Sequence, residues 1–156
     1  MPRKLGIKEA KQRAGRFCAF RERSTQEMQE KLSSWGLDPD EAESIVSELI
    51  KEGFINDQRF ADAFCHDKFQ FNGWGKLKIK AHIYAHKIPE NILSEALERI
   101  DPQVYEMKLM ELGKSKWMKL NDNDSAKRKQ KTAAFLQQRG YETDLIWETI
   151  NKLERQ

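Results

Sequence analysis

The sequence predicts an all-α fold: an elongated array of three tandem three-helix repeats built from helix-turn-helix-like units. Three observations carry that reading. One apolar framework recurs at spacings of 51 and then 53 residues: Leu32, Leu37, Ala42, Ile45, Val46 and Leu49 return as Ile83, Ile88, Leu93, Ala96, Leu97 and Ile100, and again as Leu136, Tyr141, Ile146, Thr149, Ile150 and Leu153. After the turn in each copy the apolar positions form the one-sided stripe of a 3.6-residue period, and period-two alternation is absent over any useful length. Helix start and stop residues fall where that period requires them. Such a unit cannot bury its stripe alone, so neighbouring helices and repeats must stack, producing surfaces better suited to binding than to enclosing a reaction.

The elements follow in order. A first helix covers Lys8 to Arg21, with Ala10, Ala14, Phe17 and Cys18 on its apolar face. The second opens on Ser24 and Glu27, which have capping-box spacing, and closes at Leu32 before Gly36. Asp38 before Pro39 supplies an N-cap and a first-position proline for a third helix, Pro39 to Glu52, completing a repeat over 1–55. The second repeat, 56–101, holds Asp57 to Phe69 (Phe60, Ala61, Phe64, Cys65), a helix after Gly75 that rejoins the frame at Ile83, and Pro89 to Ile100. Asp101 and Pro102 repeat the start device for the third, 102–156. That repeat begins with Pro102 to Leu120 (Tyr105, Leu109, Leu112, Trp117) and crosses a polar linker, Asn121 to Ser125. Gly36 and Gly140 sit where a helix stops in a left-handed C-cap, the conformation glycine adopts at least cost. Lys87 holds that place in the middle copy, so a weaker cap is expected there.

Composition sets limits on function. The chain has 156 residues, 34% of them charged, and a mean hydropathy of -0.83, which implies narrow buried stripes and a large surface. Met1-Pro2-Arg3-Lys4 does not resemble a signal peptide, and no apolar run approaches the roughly 20 residues of a membrane span, so a cytoplasmic protein without membrane contact is expected. Cys18 and Cys65 fall on apolar helical faces and read as reduced, buried thiols. There is no phosphate-cradling glycine loop, nucleophile elbow or HExxH element. His82 and His86 are four apart, with Cys65-His66 upstream, which raises zinc. However, Ile83, Tyr84 and Ala85 between them include no glutamate base, and no second cysteine pair completes a site. The expectation is a non-enzyme with no catalytic residues, cofactor or metal. No large apolar patch is left over for a dimer, so a monomer is expected.

The net charge of +3 conceals a stronger pattern. Met1 to Arg21 holds seven basic residues against Glu9, Lys68 to Lys87 five lysines and no acid, and Lys114 to Lys131 seven basic residues against Asp122 and Asp124. Asp38 to Glu52 holds six acids and one lysine. Any one such run reads as a solvated helix face, but three at related places in a repeat point to a partner. The sharpest is Phe69 to Lys80, where Gly73 and Gly75 around Trp74 predict a flexible turn. Lys76 and Lys80 stand one turn apart beside a helix N-terminus with amide donors, an arrangement suited to phosphates or acidic side chains. Trp74 and Phe71 either stack on unpaired bases or plug the gap between two repeats.

A major-groove reading fails on charge. The helix that would enter the groove is Pro39 to Glu52, carrying Asp40, Glu41, Glu43, Glu48 and Glu52, or Pro89 to Ile100 with Glu90, Glu95 and Glu98. Phosphate repulsion excludes the first and disfavours the second.

The string Gly53-Phe54-Ile55-Asn56-Asp57-Gln58-Arg59-Phe60-Ala61, followed by Lys68, Gly73-Trp74-Gly75, Ile79, Ile83 and Lys87-Ile88, resembles the RecX family of recombination regulators. The similarity runs from about Phe17 to Leu153 and is most specific between Gly53 and Ile88. The resemblance implies a cytoplasmic bacterial protein without catalytic activity that binds RecA, lodges in the groove of its filament on single-stranded DNA, and restrains ATPase and strand exchange. Lys87, where the family commonly has glycine, and the polar linker depart from the pattern. The basic face expected to contact the RecA filament or DNA comprises Lys68, Trp74, Lys76, Lys78, Lys80, Lys87, Lys127, Arg128 and Lys131. Gly53, Phe54, Asp57, Arg59 and Phe60 form the family's structural motif. Arg59 either pairs with Asp57 or Asp62, the favoured reading, or reaches a partner. A stand-alone single-stranded or structured nucleic-acid binder would use the same lysines and aromatics.

Overall fold

The structure, a computed structural model, describes residues 4–120 and 123–156; Met1, Pro2, Arg3 and the linker residues Asn121 and Asp122 lie outside the described residues. Among the described residues there are nine α-helices, one short 3-10 turn and no strand. The helices are α1 (Ile7–Phe20), α2 (Thr25–Ser34), α3 (Pro39–Lys51), α4 (Asp57–Gln70), α5 (Lys76–Ile83), α6 (Glu90–Glu98), α7 (Pro102–Lys119), α8 (Ser125–Gln138) and α9 (Thr143–Arg155); the 3-10 turn, Tyr84–His86, follows α5. Every position of the threefold apolar frame is buried except Ile88, which is half-buried.

The start signals act as local chemistry requires. Ser24 Oγ accepts from the Glu27 amide (3.0 Å) while the Glu27 carboxylate accepts from the Ser24 amide (3.3 Å), and Asp38 and Glu41 repeat the exchange at α3. Asp101 Oδ1 accepts from Gln103 N–H at 2.8 Å. The stop signals share one geometry. Leu37 N–H donates to Leu32 O and Gly36 N–H to Ser33 O, and Tyr141 and Gly140 repeat those bonds to Leu136 and Gln137. The five-residue spacing of the apolar frame is therefore the six-to-one hydrogen bond of a Schellman cap, with glycine at φ +89° and +93°. Lys87 takes the same left-handed region at φ +51°, and the helix before it tightens into a 3-10 turn.

The helices form two compact units, Met1–Phe64 with Ile83–Ala96, and Cys65–His82 with Leu97–Gln156, so the division passes through α4, α5 and α6. In the first unit the core gathers Leu5, Met28, Leu32, Ile45, Leu49 and their neighbours. The acidic third helix faces the basic first one: Lys4 pairs with Glu41, and Lys11 with both Glu48 and Glu52, each at 2.8 Å. Much of the first basic run is thus satisfied inside the unit rather than offered to a partner. Ser24, fully buried, meets His86 Nδ1 at 2.7 Å, and the His86 ring lies 4.6 Å from that of Phe60. Cys65 is buried and Cys18 half-buried, both as free thiols, and burial pushes the Cys18 thiol up.

In the second unit α7, α8 and α9 enclose Leu109, Leu136, Ile146, Ile150 and Leu153, with Cys65, Phe69 and Ile79 also buried. Asp124 Oδ1 caps α8 by accepting from Ala126 N–H (3.0 Å), so the described end of the linker is a helix start.

Replacing Lys87 by glycine removes the left-handed strain of a side-chain-bearing residue, which costs roughly 1–2 kcal/mol, at a smaller entropic cost. We expect Lys87→Gly to raise stability by about 0.5–1 kcal/mol, read as a higher urea midpoint by circular dichroism.

Candidate functional site

The α4–α5 turn is held by backbone. Gly73, at φ +68°, turns the chain as its amide donates to Phe69 O (3.0 Å) and the Trp74 amide to Lys68 O (3.1 Å). The chain then lies against the α8–α9 turn: Gly75 N–H donates to Arg139 O (2.7 Å) and Leu77 N–H to Gly140 O (2.9 Å). In return, the Arg139 guanidinium donates to Asn72 O and the Tyr141 hydroxyl to Gly73 O, both at 3.1 Å. A Cβ on Gly75 would sit 2.4 Å from the Gly140 carbonyl, and one on Gly140 2.3 Å from Lys78 Cβ. The glycines around Trp74 therefore fix the turn, where the sequence suggested flexibility. Gly73 supplies the left-handed φ, and Gly75 supplies the absence of a side chain at a backbone contact.

The α5 N-terminus is also occupied. Lys76 N–H donates to the Tyr105 hydroxyl at 2.9 Å, and that hydroxyl donates to the Glu142 carboxylate. The Phe69 and Tyr141 rings lie 5.5 and 5.1 Å from the Tyr105 ring. With the Lys76 and Leu77 amides engaged inside the unit, the expected open amide donors are not available to a ligand. Burial, with Glu142 beside it, holds the Tyr105 phenol far above its ordinary range, and burial does the same for Tyr141.

Trp74 is half-buried and collects cations. Lys68 Nζ lies 5.1 Å and Lys78 Nζ 4.8 Å from its ring centre, and the His82 ring is 4.4 Å away. Lys78 and His82 are four apart on α5, a spacing that could have joined His82 to this cluster from sequence. The indole is less an open platform for a base than a post against which two ammonium groups are gathered, by contacts worth about 0.5–1 kcal/mol each at exposed sites. Converging like charges favour an anion, carboxylate or phosphate, that relieves their repulsion. Phe71 is 77% exposed and meets His66 edge-on at 6.3 Å, so it plugs no gap.

The other candidates are dispersed. Lys76 Nζ lies 5.0 Å over the Tyr105 ring, Lys80 is exposed on α5, and Lys87 belongs to the other unit. On α8, Lys127 and Lys131 are exposed one turn apart, whereas Arg128 turns inward, 3.9 Å over Trp117 with Nε and a terminal nitrogen on Trp117 O (3.1 and 2.8 Å). Of the motif residues, Asp57 Oδ1 accepts from Thr25 N–H (2.9 Å), Phe60 is buried, and Phe54 is 46% exposed. Arg59 pairs with Glu22 (3.0 Å) and donates to Gly53 O (2.8 Å). Glu22 is the partner that sequence reasoning missed, because it is 37 residues away. Among the described residues no three His, Cys, Asp or Glu side chains gather as a metal centre would require.

Three family models match in tandem: RecX, first three-helix domain, at 10–49; RecX, second three-helix domain, at 56–97; and RecX, third three-helix domain, at 105–150. The chain is 31% identical over 135 residues to the regulatory protein RecX of Xanthomonas citri, covering 86% of this chain and 82% of that protein. Against the regulatory protein RecX of Clostridioides difficile it is 27% identical over 145 residues, covering 93% and 68%. The crystal structure of RecX from Lactobacillus salivarius shares the fold with a TM-score of 0.89 at 21% identity, covering 96% of this chain and 97% of that one.

Two outcomes follow from the turn. Gly75→Ala must push apart two backbones and should cost about 3 kcal/mol or more. Gly53→Ala, with open space around its Cβ but φ +84°, should cost only about 1–2 kcal/mol. Urea melts of the two variants test this contrast. Tyr105 and Tyr141 stay protonated in the folded state, whereas the unfolded phenols ionise near 10. Their stabilisation is thus complete below about pH 10 and is lost as pH rises toward the folded values, by up to about 1.4 kcal/mol per pH unit for each phenol. Tyr141→Phe should flatten the fall in urea midpoint between about pH 9 and about pH 11.

Proposed function

Since this chain belongs to the RecX family, a family of regulatory proteins, we propose that it is a non-catalytic regulator that binds RecA and its filament on single-stranded DNA. It restrains the ATPase, recombinase and coprotease activities of RecA, acting as a monomer in the cytoplasm. The observation that carries this reading beyond the family is the cation cluster on Trp74, with Lys68 and Lys78 converging on one ring and Lys80 exposed on the same short helix. Acidic side chains of a protein filament fit that cluster, and nearby phosphate fits it too. A planar base fits it less well, because the indole already has Lys68, Lys78 and His82 against it. Regulation then follows from differential affinity: a ligand moves RecA between filament states only as far as it binds one better than the other. The middle repeat, 56–101, supplies the principal contacts, and Lys127 and Lys131 extend them.

A single-stranded-DNA-dependent RecA ATPase assay tests this. Added at concentrations comparable to RecA, the protein should lower the rate; no inhibition there sinks the proposal. The triple variant Lys76→Ala, Lys78→Ala, Lys80→Ala should keep its helical spectrum yet need about tenfold more protein for the same inhibition. Binding to bare single strands that collapses steeply with salt, without inhibition, would favour the stand-alone nucleic-acid binder.

A further inference from the structure

A groove of about 570 Å³ opens in the first unit between α1 and the turn that joins α3 to α4. Its volume lies within the roughly 300–1,000 Å³ of pockets that take drug-sized ligands. The floor is apolar, formed by Leu49, which is buried, with Ala19 beside it and Phe54, 46% exposed, as a wall. At Gly15 the helix surface is bare, with nothing within 4 Å of where a Cβ would lie. Lys8 and Arg16, both exposed, stand on the rim. Lys11 also lines the groove, but Glu52 within it and Glu48 beside it hold that ammonium at 2.8 Å each. Three cations against these two carboxylates leave the site net positive.

We propose that this groove is a docking site for an acidic segment of a partner protein, one that seats a large aliphatic side chain on Leu49 and Phe54 while its carboxylates meet Lys8 and Arg16. The charge of the rim selects an acidic partner, and the apolar floor selects a polypeptide over a nucleic-acid backbone. A phosphate chain would leave the apolar floor of Leu49 and Phe54 unfilled. Phe54 then has a role that its exposure leaves unexplained within the fold: it is the wall of a recognition groove. The site is separate from the Trp74 cluster and does not depend on it.

Fluorescence anisotropy of the full chain with a fluorescein-labelled peptide, Glu-Asp-Leu-Leu-Asp-Glu, tests the proposal. Saturable binding is expected, with a Kd below about 100 µM. Gly15→Leu fills the groove and favours the helix; it should weaken binding at least about tenfold with an unchanged or higher melting temperature. Arg16→Glu should weaken binding similarly, whereas the Lys76, Lys78, Lys80 triple alanine variant should bind as the wild type does. A peptide with serine in place of both leucines should bind at least about tenfold more weakly. The proposal is overturned by the absence of saturable binding, by unchanged affinity in Gly15→Leu, by equal binding of the serine peptide, or by full displacement of the peptide by a single-stranded oligonucleotide.

Discussion

The structure depends on backbones that are allowed to touch at turn glycines. In the second unit Gly75 N–H reaches Arg139 O, the residue before Gly140, and neither glycine could carry a Cβ without striking the other strand of chain. The first unit uses the same device. Leu5 N–H reaches Trp35 O, the residue before Gly36, and a Cβ on Gly36 would lie 3.0 Å from Lys4 Cα. Gly36 and Gly140 thus do two jobs: each takes the left-handed cap conformation, and each leaves room for the segment that leads into another helix, whereas Gly75 does only the second. At Lys87 only the first job is performed, and the neighbouring contact is made by side chains, Ser24 to His86.

That constraint changes how the charge pattern is understood. Basic first helices and acidic third helices suggested surfaces for partners, yet Lys4 and Lys11 answer the carboxylates of α3, Lys129 pairs with Glu154, and Arg128 covers Trp117. Solvent screens exposed pairs of this kind, so they add little to stability. Their effect here is to match much of the basic charge within the chain itself.

Legibility followed locality. Helix positions could be read within a residue or two because burial period, N-caps and proline act within one turn of the chain. The spacing of Leu32 with Leu37 and of Leu136 with Tyr141 reports a single hydrogen bond. The same spacing joins Leu49 to Phe54 around Gly53, a third such cap that was available in the sequence and not used. Lys78 and His82 share a face of α5 in the same way. The polar linker concealed a helix cap at Asp124, because an aspartate before a basic run reads equally as a loop.

The sequence by itself determined the nine helices found among the described residues, the caps at Ser24, Asp38, Asp101, Gly36 and Gly140, the threefold frame and the family, since each rests on periods and contacts within a few residues. Only the tertiary structure decided that the Gly73-Trp74-Gly75 turn is hydrogen-bonded to the α8–α9 turn, that Arg59 answers Glu22, and that much of the basic charge is already matched. Those facts depend on pairs far apart in the chain, such as Arg59 with Glu22, 37 residues away, and Tyr141 with Gly73, 68 residues away. No local period encodes such pairs; packing of the apolar stripes brings them together, and the polar groups then bond to what they meet.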